Sequence, residues 1–234
     1  MKVQDRVNGS LGQNVILPCI FTHPKQNSYT GDIIIKWIKD NKNEPIFQCN
    51  FHNKTREDGN CIDSTPSKRL LLQGNHRKGD ISLRINNLQF TDASQYTCRV
   101  ELDYDMFNKY TKLDVNAPAQ ILSLDLELQA LGMMVKCITQ GNPIPEIKWT
   151  SSSGPLQHFP EKNGHIVSSS VPFFGQDVYT CQAVNSLGQD QKKFPPDQCQ
   201  CKNCFGLLVI TGILCSLLLL GIVAFVLFVV KSSK

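Results

Sequence analysis

The chain lacks a strong excess of charge of either sign: 24 Lys and Arg against 20 Asp and Glu leave a formal charge of +4 over 234 residues. That balance is too even to argue for nucleic acid as a partner or for a polybasic patch on a membrane surface. Its five histidines, at 23, 52, 76, 158 and 165, fall at no metal-ligand spacing. There is no Gly-x-Ser-x-Gly elbow, no glycine-rich loop that would cradle a phosphate and no His-Glu-x-x-His helix. Catalysis therefore has no support, and neither an enzyme nor a cofactor is expected. Helical periodicity of useful length is also missing from everything before residue 205. Met1-Lys2-Val3-Gln4-Asp5 lacks the apolar core of a secretory leader, and a leader absent from this sequence is the expectation.

One long apolar run is present. Phe205 to Val230 contains no charged residue, and about 20 such residues cross the hydrocarbon layer of a bilayer as a helix. The reading is a single transmembrane helix over 205–230, followed by a stub at 231–234 whose Lys231 and Lys234 favour the cytoplasmic side. The N-terminal part would then be extracellular, a single-pass type I arrangement at the plasma membrane. The ten cysteines and the sequons Asn8-Gly9-Ser10 and Asn53-Lys54-Thr55 suit that oxidising route, with Asn8 and Asn53 as glycosylation candidates.

The cysteines also carry a fold. Val15-Ile16-Leu17-Pro18-Cys19, then Trp37, then Asp92-Ala93-Ser94-Gln95-Tyr96-Thr97-Cys98 have the marks of an immunoglobulin domain. In such a domain two cysteines bridge the sheets, a tryptophan packs on the bridge, and a tyrosine two residues before the second cysteine closes a corner. The long interval from Cys19 to Cys98 leaves room for the extra strands of a variable-type domain. Ile33–Ile38, Arg69–Leu72 and Ile81–Ile85 are β-rich runs read as strands C, D and E. Cys137, Trp149 and Tyr179-Thr180-Cys181 repeat the pattern at a shorter interval, which implies a sandwich without the extra strands. The fold class is all-β: two tandem immunoglobulin-like sandwiches, variable-type over 1–116 and C2-type over 117–195, plus the membrane helix. Pro118 in Asn116-Ala117-Pro118-Ala119 is expected to stop the last strand of the first sandwich.

Cys49 and Cys61 remain in the first domain and are expected to form a second, local disulfide. Cys199, Cys201 and Cys204 crowd a stalk at 196–204. Their odd number leaves at least one free or bridged to another chain, so a disulfide-linked dimer is one expectation. Arg69 and Asp92 are read as a structural ion pair at the base of the domain. Lys78-Gly79-Asp80 mimics an integrin-binding tripeptide, but Gly and Asp are expected at such a turn in any case.

Side chains alternate along a strand, so with Tyr96, Cys98 and Val100 pointing inward, Thr97, Arg99 and Glu101 point outward. Arg99 on a rigid outer face is suited to gripping a carboxylate with two parallel hydrogen bonds. The alternative is a surface arginine paired with Glu101, Asp103 or Asp105. Here the sequence resembles the sialic-acid-binding immunoglobulin-like lectins, the Siglecs. The segments that carry the likeness are Pro18-Cys19-Ile20-Phe21-Thr22-His23-Pro24, Ile46-Phe47-Gln48-Cys49, Gly74-Asn75-His76-Arg77, Ile81-Ser82-Leu83-Arg84-Ile85 and Tyr96-Thr97-Cys98-Arg99-Val100-Glu101. The resemblance implies that Arg99 holds the sialate carboxylate and that Tyr110, at the start of strand G, is the aromatic against which the sugar packs, with Phe107 or Tyr104 as alternatives.

Sialylated glycoproteins or glycolipids are the partners so implied. The clamp alone would be weak, about 4 kcal/mol or millimolar, so clustering in cis would supply avidity. The resemblance would also imply a lysine inside the span, pairing with an acidic residue of a signalling adaptor. None stands between Phe205 and Val230, so coupling to an adaptor is doubtful. All five tyrosines, at 29, 96, 104, 110 and 179, precede the span, so no tyrosine-based inhibitory motif is expected. The competing reading is an immunoglobulin-superfamily receptor that binds a protein partner through its front sheet.

Overall fold

A computed structural model describes residues 1–195 apart from 24–28, 41, 53–58, 104, 131 and 176. The expected stalk, span and tail, Cys199, Cys201, Cys204 and Cys215, the sequon residue Asn53 and the alternative aromatic Tyr104 lie outside the described residues. Among the described residues no helix is long and apolar enough to cross a membrane.

The architecture is all-β. In chain order the strands begin β1 (Lys2–Val3), β2 (Arg6–Ser10), β3 (Val15–Leu17), β4 (Cys19–Ile20), β5 (Ile33–Lys39) and β6 (Phe47–Phe51). They continue β7 (Asn60–Asp63), β8 (Leu70–Leu72), β9 (Leu83–Ile85), β10 (Ser94–Leu102) and β11 (Asp105–Gln129). The second half holds β12 (Gly132–Asn142), β13 (Glu146–Ser151), β14 (Gly154–Pro155), β15 (Glu161–Asn163), β16 (Ile166–Pro172), β17 (Tyr179–Asn185) and β18 (Gly188–Phe194).

Strand β10 lies between β5 and the first part of β11, and β6 and β7 extend this front sheet on the far side of β5. Strands β3, β9 and β8 form the opposing sheet. The alternation is what a sheet buried on one side requires: Ile33, Ile35 and Trp37 of β5 and Tyr96, Cys98 and Val100 of β10 are buried, while Ile34, Lys36, Arg99 and Glu101 are half-buried on the other face. Three disulfides form as expected, Cys19–Cys98, Cys49–Cys61 and Cys137–Cys181. Trp37 is fully buried in the core with the first bridge, its indole N–H donating to the Ile81 carbonyl at 3.0 Å. The Tyr96 hydroxyl donates to the Asp92 carbonyl at 2.8 Å, which closes the tyrosine corner. Arg69 grips Asp92 through two terminal nitrogens at 2.8 and 2.9 Å, the structural pair read from the sequence.

A second core surrounds Cys137, Cys181, Trp149 and Tyr179, with the Trp149 indole N–H donating to Ser169 Oγ at 3.2 Å. The junction between the two cores corrects the reading of Pro118. It does not stop a strand: β11 runs unbroken from Asp105 to Gln129 and serves both halves. The reason is local. Pairing of β11 with β12 shifts register between Ala117 and Gln120, so Pro118 falls at a bulge where its missing N–H removes no regular rung. The runs read as strands D and E are also shorter than expected, beginning at Leu70 and Leu83, although Ile81 is fully buried.

Candidate functional site

Strand register fixes what surrounds Arg99. Its cross-strand partners are Lys36 on β5 and Asn108 on β11, and Gln48 on β6 continues that row beyond Lys36. Thr97 lies between Ile38 and Tyr110 in the next row of the same face. Tyr110 is thus the diagonal neighbour of Arg99, at about 7–8 Å between Cα atoms, which is within reach of two long side chains. Half of its side chain is open to solvent, at 50% exposure. It stands inside β11 and not at the start of a strand, because β11 begins at Asp105. Phe107 is placed opposite Val100 and so belongs to the other face, which removes it as the aromatic beside Arg99. Thr97 faces outward as read but is only 4% exposed, flanked by buried Ile38 and by Tyr110.

The three carboxylates that could have claimed Arg99 are each engaged elsewhere. Glu101 accepts from Lys36 Nζ through both oxygens, at 2.8 and 2.9 Å. Asp103, at the tip of the β10–β11 turn with a left-handed φ of 46°, lies beside the Tyr29 hydroxyl, which donates to the Asp32 carbonyl at 3.0 Å. Burial, and next the neighbouring Asp103 carboxylate, push the Tyr29 phenol up to about 12. Gly31 makes room for this contact, since a Cβ there would fall 2.5 Å from the Tyr29 hydroxyl and 2.7 Å from Asp103 Oδ2. Asp105 faces His23 Nε2 at 3.9 Å.

Arg99 has no ion pair among the described residues. Its Nε is buried with no partner among the described residues, so the terminal nitrogens are the part of the fork left to a ligand. An open hollow of about 570 Å³ runs past Tyr110, lined by Gln95, Lys112 and Asp40 among others. The arrangement can hold a carboxylate on Arg99, a sugar ring against Tyr110 and hydroxyl groups on the amides nearby.

Of the other singled-out residues, Asn8 is exposed on β2, as a glycan acceptor requires. In Lys78-Gly79-Asp80 the Asp80 carboxylate is taken up by the Ser82 N–H at 3.1 Å and the Ser82 hydroxyl at 2.6 Å, an internal turn. The Lys36–Glu101 pair is the feature that sequence reasoning missed. Opposite charges on neighbouring strands signal it only once the register is known.

Residues 2–116 match the immunoglobulin V-set domain. The chain is 30% identical over 208 residues to the human sialic acid-binding Ig-like lectin 15, covering 82% of this chain and 62% of that protein. It is 28% identical over 204 residues to the tyrosine-protein kinase-like otk of Drosophila erecta, covering 78% of this chain and 19% of that protein. The chain thus spans less than two thirds of either relative's length. Among solved structures, Titin-A168169 aligns with a TM-score of 0.56 at 18% identity, covering 82% of this chain and 94% of that one, a likeness of fold alone. With its bridging disulfide, core tryptophan and tyrosine corner in place, residues 2–116 form an immunoglobulin V-set domain, and the chain is similar over most of its length to a Siglec.

Proposed function

We propose that this chain is a cell-surface lectin that binds terminal sialic acid on glycoproteins or glycolipids through its V-set domain. Arg99 holds the sialate carboxylate and Tyr110 packs against the sugar. Residues 117–195 form a C2-type immunoglobulin domain that, with a cysteine-rich stalk at 196–204, holds the lectin domain away from a membrane crossed at 205–230. The observation that carries this reading is the guanidinium of Arg99, which has no ion pair among the described residues, amid three carboxylates that each face another group. An unpaired arginine on a rigid strand is a site prepared for an external anion, and each charge-assisted hydrogen bond to it contributes about 1.5–3 kcal/mol.

The test uses residues 1–198 clustered on an Fc carrier and bound to sialylated cells before and after sialidase, with Arg99→Ala and Arg99→Lys beside wild type. Sialidase and both substitutions are expected to abolish binding, the lysine because a point charge lacks the bidentate fork. Binding that survives all three overturns the lectin reading.

A second reading has one observation in its favour. Met106 and Tyr110 are 57% and 50% exposed on the face that carries Arg99, and apolar side chains there suit a protein partner. Sialidase-insensitive binding that Met106→Asp weakens would select it.

A further inference from the structure

Glu101 is the internal group best placed to disable Arg99. It lies two positions along the same strand on the same face, and residues so related stand roughly 7 Å apart. A free glutamate at that distance would compete intramolecularly with any incoming carboxylate, at an effective concentration no dissolved sugar could match. It does not do so here. Lys36, directly across the strand from Arg99, donates to both Glu101 oxygens at 2.8 and 2.9 Å. The two side chains are 25% and 26% exposed, so the pair is screened less than one at the open surface.

We propose that Lys36 is a positioning residue for the anion site: by engaging both oxygens of Glu101 it keeps the internal carboxylate off Arg99 and leaves the guanidinium open to an external one. This rests on the lectin reading and adds its regulation by an internal competitor. Without Lys36, Glu101 becomes a tethered occupant of the site. With Lys36 and the Glu101 charge both removed, the site is open again.

The experiment uses the full chain, captured on beads through a C-terminal tag in detergent. Its probe is a soluble polymer bearing N-acetylneuraminic acid, with the matched galactose-terminated polymer as blank. Lys36→Met is expected to weaken binding roughly tenfold or more, the loss of about one charge-assisted hydrogen bond. Lys36→Met with Glu101→Gln is expected to return to within about twofold of wild type. Lys109→Met removes the same charge from the opposite face, across from Cys98, and is expected to leave binding unchanged.

The proposal is overturned by a Lys36→Met chain that binds as wild type, by a double variant as weak as the single one, or by a Lys109→Met chain that loses as much. A wild-type chain that ignores the polymer overturns the lectin reading, and this proposal with it. The failure of Lys36→Met alone, with wild type binding and Arg99→Ala not, leaves the lectin reading standing.

Discussion

At the scale of single residues, the V-set core carries a titratable group that opposes folding in acid. His76 is stacked on Phe51, ring centroids 3.5 Å apart, and its Nε2 is buried with no partner among the described residues. Burial, and secondarily the Arg77 cation, lower its pKa from 6.5 to about 4. The unfolded chain therefore binds a proton between those values that the folded domain refuses. Stability is full above the unfolded pKa and falls as the pH drops from 6.5 towards 4. Allowing for solvent screening at a partly open site, the loss between neutral pH and pH 5 should be about 1 kcal/mol. His76→Phe keeps the stack and removes the titration. Urea midpoints read from Trp37 fluorescence in a Trp149→Phe background should be flatter with pH in that variant, and equal slopes would show that His76 does not carry the acid sensitivity. The role of His76 was not legible in the sequence, where it stood as one of five scattered histidines. Arg69–Asp92 was legible, because its two residues occupy positions the domain type itself defines.

At the scale of elements, the bridging cysteines, Trp37 and Tyr96 could be read ahead of the structure because covalent and packing constraints tie them to fixed places in a sandwich. Pro118 could not. Its effect depends on whether its nitrogen faces a partner, and the register shift between Ala117 and Gln120 is set by β12, far along the chain. The junction is then held by side chains. Asn142 Nδ2 donates to the Val115 carbonyl at 2.6 Å, and Asn185 Nδ2 donates to the carbonyls of Ala117 and Pro143 at 2.9 and 2.8 Å. The pair Cys49–Cys61 was legible as a local bridge but not in its task. It ties exposed edge strand β7 to β6, directly cross-strand. Closing so short a loop should contribute about 2–3 kcal/mol. Cys49→Ala with Cys61→Ala should lower stability by that amount in denaturant titrations, and should raise amide exchange first along Asn60–Asp63. Uniform loss of protection across the front sheet would instead mean that the bridge supports the whole core.

At the scale of the whole molecule, the site lies on an open sheet face, and a guanidinium with one adjoining aromatic makes few contacts. On the lectin reading a single engagement should contribute about 4 kcal/mol, a dissociation constant in the millimolar range. Tighter function must then come from number. Linking copies converts later contacts into intramolecular ones and raises avidity by about 10²–10⁴ without any new contact. That gain needs sites presented at a constant reach, and β11 bears on it: one strand spans both cores, with the junction held by Asn142 and Asn185 and by Phe90 stacked on His165 at 4.3 Å. Monomeric 1–198 on a sialylated sensor surface should show only fast, millimolar responses, whereas Fc dimers and higher clusters should dissociate progressively more slowly. Asn142→Ala with Asn185→Ala should leave the monomer response unchanged while weakening the clustered form, because it loosens the presentation of the site and not the site itself. Micromolar binding by the monomer would mean that contacts beyond Arg99 and Tyr110 dominate, and would turn attention to the amide row through Asn108 and Gln48 and to the hollow beside Gln95 and Lys112.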